Sequence, residues 1–245
     1  MAHNIEKLRE EFKSLMDTLM YQYNLRDYLD GTPEDIGMNW KEGMQAEDDL
    51  GIWSACGCTK FVIGLHNSKY IIKFQPFYID DESYNDGDFN YCAREVEVYK
   101  EAERAGFGDK FAWSEFLFDY EVDGWTIPMF VMEKCHCSSC DISDDMDDWH
   151  YSKYCESVGV EKSDEAFHEY NSNYKYNKSY DSRMMEWACS VWGFVDTEAT
   201  RIIEFMRNMC INDIHCGNWG WCDNRLVLTD YSGYGSCMSN RSIRY

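Results

Sequence analysis

The chain has 245 residues, enough for one bilobal domain or two small ones. Apolar residues make up 44% and aromatics 16%, which excludes a disordered chain and allows a sizeable core. The net charge of -22 would repel phosphate, which excludes passive nucleic-acid binding, and no run approaches about 18 consecutive apolar residues, so no membrane span is expected.

The opening Met1-Ala2-His3-Asn4-Ile5-Glu6-Lys7 lacks the basic-then-apolar form of a secretion signal, and the expected location is the cytoplasm. In that reducing compartment the 12 cysteines read as packing thiols or metal ligands rather than disulfides.

In chain order, residues 4–24 read as a helix: Ile5, Leu8, Phe12, Leu15, Met16, Leu19, Met20 and Tyr23 recur at three- and four-residue steps. Gly31-Thr32-Pro33 is expected to end that segment, and Glu47-Asp48-Asp49 to lie in an acidic loop. The period then shortens. Phe61-Val62-Ile63 and Tyr70-Ile71-Ile72 read as strands joined by a turn at His66-Asn67-Ser68-Lys69. Residues 78–90 read as an acidic loop, and Ala93 to Ala105 as a helix stopped by Gly106. Phe116-Leu117-Phe118 and Ile127 to Met132 read as strands around Asp123-Gly124. The block 141–170 holds 10 acidic and 2 basic residues and is expected to be an exposed acidic face or a loop. Helices are expected at about 183–193 and 197–209, the second capped by Asp196 or Thr197 with Ile202, Ile203, Phe205, Met206 and Met209 on its apolar face. Leu226-Val227-Leu228 reads as a strand of a late short hairpin. The fold class is α+β, with a boundary near Glu133.

The chemistry concentrates in Ile211-Asn212-Asp213-Ile214-His215-Cys216-Gly217-Asn218, followed by Leu226-Val227-Leu228-Thr229-Asp230. Phosphoryl transfer needs a carboxylate to orient and deprotonate the incoming hydroxyl, and oxygen ligands to hold magnesium against the phosphates. Asp213 suits the first task. Asn218 and Asp230 suit the second. The spacing from Asp213 to Asn218 is that of D-x-x-x-x-N in the kinase catalytic loop. Upstream, Lys73 ends the strand Tyr70-Ile71-Ile72, in the manner of V-A-I-K, where a lysine holds the α- and β-phosphates. Glu95 on the next helix is the expected partner of Lys73. Val96 and Tyr99 put it beside an apolar stripe, whereas the rival Glu97 has Glu101 four residues on. Met132-Glu133-Lys134 has the form of a hinge, with Glu133 and Cys135 as candidate nucleotide contacts. Between Gly51 and Lys60, Ser54, Gly57 and Thr59 are candidate phosphate contacts, although the stretch is not G-x-G-x-x-G.

Within the catalytic loop, D-x-H-x-x-N is similar to the pattern of aminoglycoside and choline kinase phosphotransferases. The assembly over about 50–135 and 197–233 resembles the kinase-like proteins encoded by many bacteriophages, whose loop reads N-D-[LI]-H-x-G-N. The resemblance implies a protein-kinase-like bilobal fold: an extra N-terminal helix over 1–30, a strand-rich N-lobe with one internal helix over 31–133, and a helical C-lobe over 134–245 carrying an acidic insertion over 136–185. It also implies a virus-encoded protein acting in the cytoplasm of a bacterial host. Asn212 stands where an arginine is usual, Asp230-Tyr231-Ser232-Gly233 replaces D-F-G, and 15 residues follow Asp230, which implies a truncated C-lobe.

Cys135-His136-Cys137 and Cys140, with His150 and Cys155, form a second constellation. C-x-C-x-x-C is less regular than paired C-x-x-C, and packing thiols are expected in preference to structural zinc. Trp187 and Trp192 read as core. The leading functional expectation is a phosphotransferase using ATP and magnesium on a hydroxyl of a host protein. The alternative is a pseudokinase-like protein whose acidic face mimics DNA and inhibits a host defence or DNA-handling enzyme.

Overall fold

A computed structural model describes residues 3–76, 89–136 and 138–233. The expected acidic loop at 78–90 falls outside them apart from its last two residues, as does Cys137 of the cysteine cluster. The chain is α+β, with an antiparallel main sheet, and divides into two compact units. The first comprises Met1–Glu101 and Ala112–Lys134, the second Ala102–Phe111 and Cys135–Tyr245. Among the described residues, no helix is long and apolar enough to cross a membrane.

The first unit is built on a five-stranded sheet of β1 (Ile52–Cys56), β2 (Phe61–Leu65), β3 (Tyr70–Phe74), β4 (Ser114–Val122) and β5 (Trp125–Glu133), in the order β1-β2-β3-β5-β4. Every neighbouring pair is antiparallel. Strand alternation sorts side chains between two faces. Phe61, Ile63, Ile72, Phe74, Met129 and Val131 share one core with α1 (Ile5–Tyr21), α2 (Pro33–Asn39) and α3 (Gly43–Leu50). Phe130 and Phe116 pack against Cys92, Ala93 and Val96 of α4 (Tyr91–Ala105).

The N-terminal helix follows from its apolar stripe, which buries Leu8, Phe12, Met16, Leu19 and Met20. The Asn4 side chain caps it by accepting from the Lys7 N–H. Two polar contacts tie it to β4: Arg9 Nε donates to the Leu117 carbonyl at 2.6 Å, and Tyr120 donates to Asp17 at 2.8 Å.

Among the described residues of 31–133 there are three α-helices rather than one. Gly31-Thr32-Pro33 opens α2 instead of merely ending what precedes it. Pro33 at the first helical position loses no hydrogen bond, and Thr32 and Asp35 cap each other's backbone N–H groups at 3.1 Å. Glu47-Asp48-Asp49 lies within α3, held by burial of Ala46 and closed by Gly51 at φ +63°.

In the second unit the acidic block is an exposed face carried on helices, with a break at 159–163, rather than a loop. α5 (Ser139–Val158) is capped by Ser138 and buries Ile142, Met146, His150, Tyr151 and Cys155, a narrow stripe at steps of about four. Its carboxylates at Asp141, Asp144, Asp145 and Asp148 stay exposed. α6 (Asp164–Glu169) and the π turn Tyr170–Tyr174 follow, and Tyr151, Tyr170 and Tyr174 pack with Tyr154 into an aromatic cluster. Next come α7 (Tyr180–Val191) and α8 (Asp196–Asn208). Val195, not Asp196 or Thr197, precedes α8, its N–H held by the Glu198 carboxylate at 3.2 Å. Ile202 and Met206 are buried and Phe205 meets the rings of Phe107 and Phe111, but Ile203 is exposed. The unit ends in a hairpin of β6 (Trp219–Cys222) and β7 (Arg225–Leu228). Trp187 is buried, and the Trp192 indole N–H donates to the Leu226 carbonyl at 2.8 Å.

Candidate functional site

In the first unit, Lys73 lies on β3 between Ile72 and Phe74. Both neighbours face the N-terminal helices, so alternation turns Lys73 toward α4. Its Nζ sits 3.3 Å from each carboxylate oxygen of Glu95. Both side chains are buried, Glu95 completely. Glu97, two residues along the helix, points outward and pairs with Arg94 at 2.6 Å. Lys60 was not a candidate on sequence grounds, yet it is also buried and its Nζ is 2.8 Å from Glu95 Oε1. A signal for it existed. Phe61 and Ile63 face the N-terminal helices, so Lys60 and Val62 must share the face of Lys73, and Val62 is the register partner of Lys73.

The stretch before Lys60 forms the β1–β2 hairpin, closed by the Gly57 N–H donating to the Lys60 carbonyl at 3.0 Å. Gly57 and Thr59 lie in that turn. No atom comes within 4 Å of a β-carbon built on Gly57, so its surroundings are open. Ser54 is differently placed. Its N–H and its hydroxyl both donate to Glu47 Oε1, at 2.9 and 2.8 Å, so both donors already serve a carboxylate. At the end of β5, Glu133 is the register partner of Tyr70, and its N–H donates to the Trp113 carbonyl at 2.8 Å. Cys135 follows as a half-buried residue of the second unit.

In the second unit, α8 gives way to the loop 210–218. Asp213 is half-buried, and its carbonyl accepts from Asn218 Nδ2 at 2.9 Å. Asn218 is itself buried, and its N–H donates to the His215 carbonyl at 2.9 Å. The β6–β7 register then brings the metal candidates into neighbouring rows: Trp219 pairs with Leu228, and the Thr229 N–H donates to the Asn218 carbonyl at 2.8 Å. Asp230 follows directly, its carboxylate accepting from the Ser232 hydroxyl at 3.2 Å. Tyr231, where D-F-G has phenylalanine, is fully buried edge-on to Phe111. Because Asn218 spends its amide N–H on Asp213, its Oδ1 is the atom it can offer a cation. The Asp230 carboxylate is likewise a hard oxygen donor, the type magnesium prefers.

The cysteine–histidine constellation is not drawn together. Among the described residues, no group of three or more His, Cys, Asp or Glu side chains could hold a metal ion. His150 is bonded through Nε2 to the Arg183 carbonyl at 2.9 Å, and Cys155 packs among tyrosines. Burial lowers the His150 pKa, against the opposing effects of that hydrogen bond and of Glu186. Asp147, one turn earlier, bonds Arg183 and, at 2.6 Å, Lys175. Burial alone would raise the Asp147 pKa, but these two cations hold it below the ordinary value.

No protein-family model matches the chain, and no curated protein is similar to it in sequence. The functional reading therefore rests on the side chains themselves.

Proposed function

We propose that this chain is an ATP- and magnesium-dependent phosphotransferase of protein-kinase-like bilobal fold, moving a γ-phosphate to a hydroxyl on another protein. The observation that carries the reading is the buried contact of Lys73 with both Glu95 oxygens, from a strand and the helix that follows it. A lysine so held is positioned to neutralise phosphate oxygens without being free to swing away. Asp213 takes the role of base, orienting the acceptor hydroxyl and receiving its proton. Magnesium, when held by Asn218 and Asp230, supplies positive charge to the phosphate oxygens. Gly57 and Thr59 in the β1–β2 turn are the remaining phosphate contacts of the reading, with Glu133 and Cys135 as further nucleotide contacts.

The test uses the purified full chain with radiolabelled ATP. Magnesium-ATP is expected to raise the melting temperature, and ATP without a divalent cation to leave it unchanged. Label is expected to reach a protein of a bacterial lysate. Unchanged melting at millimolar magnesium-ATP would sink the reading.

A second reading, a non-catalytic acidic protein that occupies the DNA-binding surface of a host enzyme, is supported by the exposed carboxylates of α5 and α6. Under it, partner binding survives loss of Asp213 and fails in high salt or when Asp141, Asp144, Asp145 and Asp148 become amides.

A further inference from the structure

His215 stands in the loop between Asp213 and Asn218 and makes one hydrogen bond and one longer approach. The Gly217 N–H donates to its Nδ1 at 3.0 Å. Its Nε2 lies 3.6 Å from Asp213 Oδ1. The first contact fixes the tautomer. An N–H aimed at Nδ1 requires a lone pair there, so the ring proton of the neutral imidazole sits on Nε2, the nitrogen that faces the carboxylate. The ring also caps the short 3-10 turn Cys216–Asn218 that carries Asn218.

Gly217 is part of the same device. A β-carbon there would stand 2.8 Å from His215 Cε1 and 3.0 Å from Nδ1, so any side chain at 217 would push the ring out of its seat. Half the His215 side chain is exposed, so the ring is not a core residue satisfied by burial.

We propose that His215 is a positioning residue for Asp213: its Nε2–H turns toward the carboxylate and holds it in the orientation that receives the acceptor proton. At 3.6 Å the contact is longer than a hydrogen bond. It closes when the acceptor hydroxyl draws Asp213 into line, as catalytic contacts commonly tighten in the loaded complex. This rests on the phosphotransferase reading and adds to it a residue that acts through Asp213.

Two arms test it, both on the full chain. The first reads histidine ring nitrogens by NMR in protein carrying 15N-histidine. The Nε2–H tautomer is expected for His215, with a resonance that moves in Asp213→Asn. An Nδ1–H tautomer, or a resonance indifferent to Asp213→Asn, overturns the contact whether or not the chain is an enzyme. The second arm measures turnover of magnesium-ATP. His215→Ala and Gly217→Ala are each expected to lower kcat on the order of tenfold to a hundredfold with little change in KM for ATP. His215→Asn is the decisive variant. Its side-chain oxygen can accept from the Gly217 N–H and restore the cap, but the shorter side chain cannot span to Asp213. Melting temperature is expected to recover in that variant while kcat stays low. Recovery of kcat along with stability would reduce His215 to a cap and overturn the proposal. Absence of any turnover in the unsubstituted protein would instead sink the phosphotransferase reading, and the positioning role with it, while the tautomer result stood.

Discussion

Lys60 Nζ lies 2.8 Å from Glu95 Oε1, nearer than Lys73, whose Nζ is 3.3 Å from either oxygen. Two buried lysines thus share one carboxylate. Glu95→Gln removes that shared counter-charge and is expected to cost about 3–5 kcal/mol, the range for breaking a buried ion pair. Lys60→Met leaves Glu95 with Lys73 and should cost clearly less. Urea denaturation of the two variants checks the ranking, and equal losses would contradict it.

Acidification should destabilise the second unit in two steps. In the unfolded chain His150 takes up its proton near about pH 6.5. In the folded chain burial delays that uptake to lower pH. Between the two values the unfolded state binds more protons, so the stabilising contribution is whole above about pH 6.5 and is lost as pH falls toward the lowered value. Asp147, its pKa lowered by Lys175 and Arg183 against the effect of burial, adds a second loss below about pH 4. His150→Gln, which retains an amide donor for the Arg183 carbonyl, should erase the first step and leave the second. Melting temperature followed from neutral to acid pH reports both.

Gly233 follows Asp230 closely and has φ +74°, and a β-carbon on it would stand 2.2 Å from the Cys210 carbonyl oxygen. Gly233→Ala combines left-handed strain of about 1–3 kcal/mol with a backbone clash that no rotamer relieves. It should lower the melting temperature and, by displacing Asp230, weaken magnesium-dependent ATP binding. Gly106→Ala is the control. At φ +85° it carries the strain, but nothing lies within 4 Å, so stability should fall without loss of ATP binding.

Asp213→Asn and Asp230→Asn should separate chemistry from binding. The first is expected to reduce phosphoryl transfer by about 10²–10⁴-fold with ATP affinity nearly intact, since the carboxylate acts on the incoming hydroxyl. The second removes an anionic ligand from a hard cation and should weaken magnesium-dependent ATP binding as well. Calorimetric titration beside a transfer assay distinguishes the two patterns.

The parts of the fold that could be read from sequence are those whose apolar period is unbroken. The β2–β3 hairpin, α4 with its stop at Gly106, and the β4–β5 turn at Asp123-Gly124 are of this kind. α5 escaped because its buried stripe is a single row, diluted by carboxylates that suggest a solvated loop. α2 escaped because Gly31-Thr32-Pro33 reads as the end of a segment, whereas Pro33 begins a helix, and α3 because the run Glu47-Asp48-Asp49 reads as a loop, whereas it lies within a helix. At the candidate site, the contact of Glu95 with Lys73 follows from helix and strand periodicity, but Lys60 required the register of β2. The capping of Gly217 by His215 depends on a ring orientation that spacing does not encode.

The order β1-β2-β3-β5-β4 has a consequence for how the sheet comes to exist. β1, β2 and β3 are joined by short turns, as are β4 and β5, and both ribbons can form from local contacts within microseconds or so. The β3–β5 seam is different, because the chain between those strands includes α4. Closing that long loop loses entropy before Ile71↔Met132 and Ile72↔Val131 can compensate for it. The seam on which Lys73 sits is therefore expected to form after the two ribbons, and the folding rate of the first unit to depend on the centre of its sheet.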